Sequence, residues 1–326
     1  MKKKCNDKLI AIPLVRRLFV LLLAVSVCFF SPHTTKTVSA SYPSSNNAYG
    51  QLSVPTQITK LGNTYYIVDC YHDQIIYSTN PGAPLKQWKI MTNRVHQPHA
   101  LASDGTIYLV VDTENNRVIS YEKGTDRFQE LQTFEQIGNR PHYITYEPSD
   151  ELFYVWSSLT GEMYLFGRTP GTTELTLVET RSVPALNGMY VRSFTVLGDS
   201  ILFPCVELGM ILQVNRYTFE IEQYYPVPDA IAGMVQIVPI EDYFYITVSS
   251  NRNYGRSTAT IIRTTDLNQL QYGCYEDLKH LIGCKGTPYY ISQFDGNYFM
   301  THDDASPGIY RFQVENNIVK NISGLH

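Results

Sequence analysis

Residues 98–121 read Pro98-His99-Ala100-Leu101-Ala102-Ser103-Asp104-Gly105-Thr106-Ile107-Tyr108-Leu109-Val110-Val111-Asp112-Thr113-Glu114-Asn115-Asn116-Arg117-Val118-Ile119-Ser120-Tyr121. Asp104-Gly105 is a turn, because glycine reaches the positive φ that a tight reversal requires. The five residues after Thr106 are all apolar. A half-exposed strand alternates apolar with polar, whereas one covered on both faces loses the alternation, so 107–111 is a doubly buried strand. A polar loop follows, and Val118-Ile119-Ser120-Tyr121 starts a third strand.

The same order recurs along the chain. Pro55-Thr56-Gln57-Ile58, Pro141-His142-Tyr143-Ile144, Val191-Arg192-Ser193-Phe194, Met234-Val235-Gln236-Ile237 and Pro288-Tyr289-Tyr290-Ile291 align with Pro98-His99-Ala100-Leu101. Their last positions, 58, 101, 144, 194, 237 and 291, step by 43, 43, 50, 43 and 54. Each copy then has a turn, an apolar run, a polar loop and a third strand, and most add a weaker fourth. Four short strands repeated six times predict an all-β, six-bladed β-propeller with four antiparallel strands per blade, forming one domain over 41–326. Pro204 donates no ladder hydrogen bond, so the second strand of copy four is expected to bulge or end early. The last copy holds its own fourth strand, which predicts closure without an N-terminal strand.

The element Asp112-Thr113-Glu114-Asn115-Asn116-Arg117, the Pro98-His99-Ala100-Leu101 that precedes it and the weaker Ile67-Val68-Asp69 resemble NHL-type six-bladed propellers and their secreted bacterial relatives. Those relatives include propeller lyases, so the resemblance implies channel-facing histidines with a divalent metal.

The chain is 44% hydrophobic and 17% charged, with 25 Tyr among 326 residues, which excludes a disordered chain or a coiled coil. Residues 1–40 read as a secretory signal peptide: Lys2, Lys3, Lys4, Lys8, Arg16 and Arg17, an apolar run over 18–30, then Val38-Ser39-Ala40. The protein is therefore expected to be secreted or associated with the cell surface, with no transmembrane segment after cleavage, and monomeric. Residues 41–326 hold 19 Lys and Arg against 29 Asp and Glu, a formal charge of −10 that argues against nucleic acid as a partner. Cys274 and Cys284 flank a short helical pattern over 275–282 and either form a bridge or stay as thiols.

In an antiparallel blade the start of the first strand and the end of the second lie at one edge. His99, His142, Arg192 and Tyr289 start first strands, while Asp69, Asp112, Trp156, Glu207, His302 and Asp303 lie at or just past the ends of second strands, so the repeat register gathers them at one mouth of the channel. His99 and His142 are the candidate metal ligands for a divalent cation. With Arg192 as oxyanion stabiliser and Tyr289 as proton donor they form a candidate catalytic set. Tyr143, Trp156, Tyr290 and His302 are candidate ligand-binding side chains. Residues 249–257 form a longer loop at the same edge, a candidate lid. Asp69 and Asp112 are expected to accept backbone N–H bonds of their turns, and Arg117 to pair with a carboxylate of its blade. Phosphate-binding glycine loops and His-Glu-x-x-His are absent from the sequence. The expectation is an extracellular small molecule, glycan or peptide bound at the mouth; the alternative is a metal-assisted lyase or hydrolase.

Overall fold

The computed structural model describes residues 45–303 and 308–326, and the backbone of 35–41. Residues 1–34 of the expected export signal lie outside the described residues. The chain forms a six-bladed β-propeller of antiparallel sheets. Blade one comprises Pro55–Leu61, Thr64–Asp69, Gln74–Ser78 and Lys89–Thr92; blade two Leu101–Ser103, Ile107–Asp112, Arg117–Lys123 and Phe128–Phe134. Blade three comprises Pro141–Glu147, Leu152–Ser157, Glu162–Arg168 and Leu175–Ser182; blade four Thr195–Leu197, Ser200–Cys205, Met210–Asn215 and Ile221–Pro226. Blade five holds Gly233–Ile240, Tyr243–Ser250, Thr260–Thr264 and Glu276–Asp277, and blade six Pro288–Phe294, Asn297–His302, Ile309–Glu315 and Ile318–Leu325. Thr35–Ser41 adds a fifth strand to blade two, antiparallel to Phe128–Phe134. The expected cleavage point after Ala40 falls inside this strand.

The doubly buried second strands explain how the blades hold together. All six residues of Ile107–Asp112 are buried, and their two faces belong to different junctions. Val110 packs with Tyr66, Val68 and Ile75 of blade one, while Leu109 and Val111 pack with Ile144, Phe153 and Val155 of blade three. An apolar cluster of this kind occupies each of the six junctions, so the core is divided around the ring.

Polar side chains join the same junctions at repeat-equivalent positions. Gln57 Oε1 accepts the Leu101 N–H at 2.8 Å, and Gln236 Oε1 accepts the Ile291 N–H at 2.6 Å. Both glutamines immediately precede an alignment anchor of their own copy, and both reach the anchor of the next.

The ring closes as expected, without an N-terminal strand in blade six. Ser45 and Asn47 instead pair along the outer edge of blade one. The seam between blades six and one consists of side chains: Ile58, Ile67 and Ile76 pack against Phe299 and Ile309, Lys60 and Tyr65 reach Asp295 at 2.5 and 2.7 Å, and Thr301 Oγ1 donates to the Thr56 carbonyl at 2.8 Å.

Two local expectations are corrected. The strand containing Pro204 neither bulges nor ends early, and pairs in continuous register through Cys205 with Met210. Its inner neighbour reaches only Leu202, so the proline stands where the inner ladder is open. The helical pattern at 275–282 yields only the single turn Lys279–Ile282, preceded by the 3-10 segment Leu267–Tyr272, because Gly273 and Gly283, both at positive φ, end the turns on either side. Cys274 is exposed and Cys284 buried, and no bridge joins them.

Candidate functional site at the channel mouth

A carboxylate or hydroxyl at or just after the end of a second strand takes the backbone N–H of the segment leading into the same blade's first strand. Asp69 accepts from Ser53 at 2.7 Å, Asp112 from His96 at 2.7 Å, Ser157 from Asn139 at 2.8 Å, Glu207 from Tyr190 at 3.2 Å and Asp303 from Thr287 at 2.9 Å. The partner is thus the incoming chain rather than the turn expected from sequence. Asp69 and Asp112 are fully buried. The remaining oxygen of Asp69 meets His72 and Gln74, and that of Asp112 meets Arg117 at 2.6 Å, the expected pair. These two carboxylates are committed to structure.

These clasps stand in blades one to four and six, around a cavity of about 350 Å³ that residues of all six blades line. It is lined by Tyr71 of blade one, His99 of blade two, Arg140 of blade three, Tyr190 and Arg192 of blade four, Tyr254 of blade five and Tyr289 of blade six, among others. His99, Arg192 and Tyr289 therefore meet as the repeat register predicts. His142 lies just beneath the lining, fully buried, with its ring centre 3.9 Å from that of His99.

Each imidazole is fixed by its Nδ1. His99 Nδ1 lies 2.9 Å from the Gln97 carbonyl, and His142 Nδ1 lies 2.9 Å from the Arg192 carbonyl of the next blade. A carbonyl only accepts, so both rings carry their proton on Nδ1 and present a lone pair at Nε2. His142 Nε2 faces two hydroxyls, Tyr190 and Tyr289, each at 3.2 Å. His99 Nε2 faces the Cys70 thiol at 3.9 Å. Burial lowers the His99 pKa to about 3. Burial, then the neighbouring His99, Arg192 and Arg140, hold His142 well below the usual imidazole range. Burial likewise raises Tyr289 well above the ordinary phenol range. The pair is neutral and resists protonation.

Four other candidates lie elsewhere. Trp156 is fully buried in the junction of blades three and four, and its indole N–H donates to the Val191 carbonyl at 3.0 Å. Tyr290 is buried beneath the mouth and donates to the Arg192 carbonyl at 2.8 Å. His302 is buried beside Tyr310, with ring centres 5.0 Å apart. Tyr143 lines a second cavity of about 240 Å³ together with Glu147, Thr195 and Gln236. The apolar neighbours of these residues decide their burial, and a strand-end position alone does not reveal those neighbours.

Sequence reasoning missed Arg140 as a site residue. It occupies the position before the proline that opens blade three, where its φ is 58°, and it pairs with Glu114. The loop at 249–257 lies at the mouth as expected, with Ser249, Ser250, Tyr254 and Arg256 in the lining. Tyr254 donates to Glu207, Arg256 pairs with Asp303 at 3.0 Å and Arg252 with Asp229 at 3.3 Å. The loop is therefore tied to blades four and six.

The metal expectation meets a donor set that does not fit. His142 Nε2 already faces two hydroxyls, and among the described residues no group of three or more His, Cys, Asp or Glu side chains converges. Two imidazoles without a carboxylate or thiolate are too few for a protein-held divalent ion.

No family model matches this sequence, and no curated protein does. Solved structures do resemble it. A Bacteroides fragilis protein assigned as a 6-phosphogluconolactonase superposes with a TM-score of 0.60 at 12% identity, covering 84% of this chain and 85% of that one. A streptogramin B lyase gives 0.57 at 16%, covering 88% of each chain. A catalytically inactive virginiamycin B lyase from Staphylococcus aureus, solved with quinupristin, gives 0.55 at 17%, also over 88% of each. At these identities the likeness extends to the six-bladed propeller fold that the chain shares with lyases and a lactonase-like protein, and not to the NHL family in particular.

Proposed function

We propose that this protein is an exported, monomeric propeller that binds a small molecule at the channel mouth. One observation carries the reading: every blade sends side chains into a single polar cavity, whose volume suits a small ligand. The volume favours a small molecule over the glycan or peptide that the aromatic content also suggested. Export rests on the basic and apolar pattern of residues 1–40, and the Asp112 to Arg117 element supports an NHL-type relationship. Crystals of the 41–326 protein soaked with a fragment library test the proposal. Occupants between Arg192 and Tyr289 are expected, and occupants found only elsewhere refute it.

The second reading, a lyase or hydrolase, is favoured by the meeting of His99 with His142 and by the activities named for the propellers of similar fold. The metal-assisted form is opposed by the donor set. Elemental analysis of protein purified without added ions separates the two, since a stoichiometric metal lost in both His99→Ala and His142→Ala would establish the metal-assisted form.

A further inference from the structure

Three arginines gather at the mouth of an acidic protein. Arg140, Arg192 and Arg256 line the cavity, with Asp303 as the lining carboxylate. Asp303 is engaged by Arg256 and Glu114 by Arg140. Arg192 has no carboxylate partner among the described residues: its guanidinium donates to Ser249 Oγ, which in turn donates to the Gly233 carbonyl at 3.0 Å. Arg140 and Arg192 also surround one ring, with their guanidinium carbons 5.9 and 5.1 Å from the centre of Tyr190.

Unmet hydrogen-bonding capacity is concentrated at the same place. Ser250 lines the cavity at 3% exposure, and its buried Oγ has no partner; the buried Nε of Arg140 has none either. His142 Nε2 offers one lone pair to two tyrosine hydroxyls, so one of the Tyr190 and Tyr289 protons is left to point elsewhere. Both tyrosines line the cavity. A buried donor without an acceptor is costly, and a ligand that supplies the acceptor removes that cost.

Resting on the mouth as the binding site, we propose that its ligand is a small organic anion whose carboxylate or phosphate group is held by Arg192 and Arg140, with Ser250 and a tyrosine hydroxyl completing the shell. Guanidinium groups match such oxyanions in geometry as well as charge. The neutral His99 and His142 add no charge of their own, and His142 Nε2 accepts from one of the two tyrosines.

Calorimetric titration of the 41–326 protein with gluconate, succinate and inorganic phosphate tests this against the uncharged counterparts glucose and succinamide, with hydrogen exchange of the mouth segments recorded in parallel. At least one anion is expected to bind and to protect the mouth, while its neutral counterpart does not. Phosphate binding without either carboxylate assigns the phosphate class, and carboxylate binding without phosphate the other. Arg192→Met should weaken the anion by about tenfold or more, with Arg192→Lys recovering part of the loss. Arg140→Met is the second variant should Arg192→Met fail to fold. Neutral compounds that bind and protect the mouth as well as the anions overturn the anion inference and leave the mouth as the site. Binding by none of the probes overturns the anion inference, and fragment soaks then decide the mouth separately.

Discussion

The imidazoles of His99 and His142 lie with ring centres 3.9 Å apart, although the two residues stand 43 positions apart in the chain. Each occupies the second position of its repeat, and neighbouring blades bring those positions together around the axis. Both rings are buried and neutral, and this has a consequence for acid stability. Folded His99 stays unprotonated until about pH 3, whereas an unfolded histidine takes a proton near pH 6.5. The stability held by the neutral form is therefore present above the unfolded pKa and is lost as pH falls from about 6.5 toward 3. At pH 5 the loss from His99 alone is about 2 kcal/mol. Urea unfolding at pH 7 and pH 5 measures it, and His99→Gln should flatten the slope.

Trp156 and Tyr290 separate stability from binding. Trp156→Ala should cost about 3–5 kcal/mol through the cavity left in a packed junction, with ligand affinity in the folded fraction little changed. Tyr290→Phe removes the hydroxyl that meets both the Arg192 carbonyl and His142 Nδ1, at about 1–2 kcal/mol. Thermal melts and titrations on both variants distinguish these outcomes from a direct binding role.

The loop at 249–257 should be held by its clasps. Tyr254→Phe combined with Arg256→Ala removes the contacts to Glu207 and Asp303. Hydrogen exchange of residues 251–257 should then rise severalfold, while strand Tyr243–Ser250 stays protected. Unchanged exchange would show that the Arg252 contacts to Asp229 and the Glu207 carbonyl, with the turn around Asn251, suffice to fix the loop.

Thiol chemistry reports the burial pattern. In the native 41–326 protein, Cys274 should react promptly with an aromatic disulfide reagent, and Cys70, Cys205 and Cys284 should react only after denaturation, because all three are buried. Burial also raises the Cys205 thiol to about 12, which leaves little thiolate. Two or more prompt thiols would contradict this packing.

The blade junctions should tolerate apolar replacement poorly at their glutamines. Gln57→Leu leaves the buried Leu101 N–H without an acceptor, and Gln236→Leu does the same to Ile291. Each should cost about 1–3 kcal/mol. Denaturation midpoints of the two variants should be similar, since the positions are equivalent.

The ring of six was legible because it rests on period and on runs such as 107–111, which are local in sequence. The meeting of His99, Arg192 and Tyr289 was legible for the same reason, as each follows from repeat register. What register does not carry is depth. Trp156 and Tyr290 share the edge with the lining residues, but they face the packed side of their strands, and only the neighbouring blade decides that. Arg140 escaped notice because it precedes the aligned four residues, where a positive φ rather than a pattern turns it to the mouth. The role of Asp69 and Asp112 was half legible: the carboxylates accept N–H bonds, but from the incoming strand 16 residues earlier, a pairing that no local turn rule contains.

The seam between Ile76 and Phe299 differs from a zipper in which one sheet borrows a strand from the opposite terminus. The four repeat strands of each blade come from one uninterrupted stretch, with Thr35–Ser41 added only at the outer edge of blade two, so the order of blades is a matter of linkage rather than of folding. A gene reopened between blades three and four, with the old ends joined by a short spacer, should still yield the same ring and the same mouth.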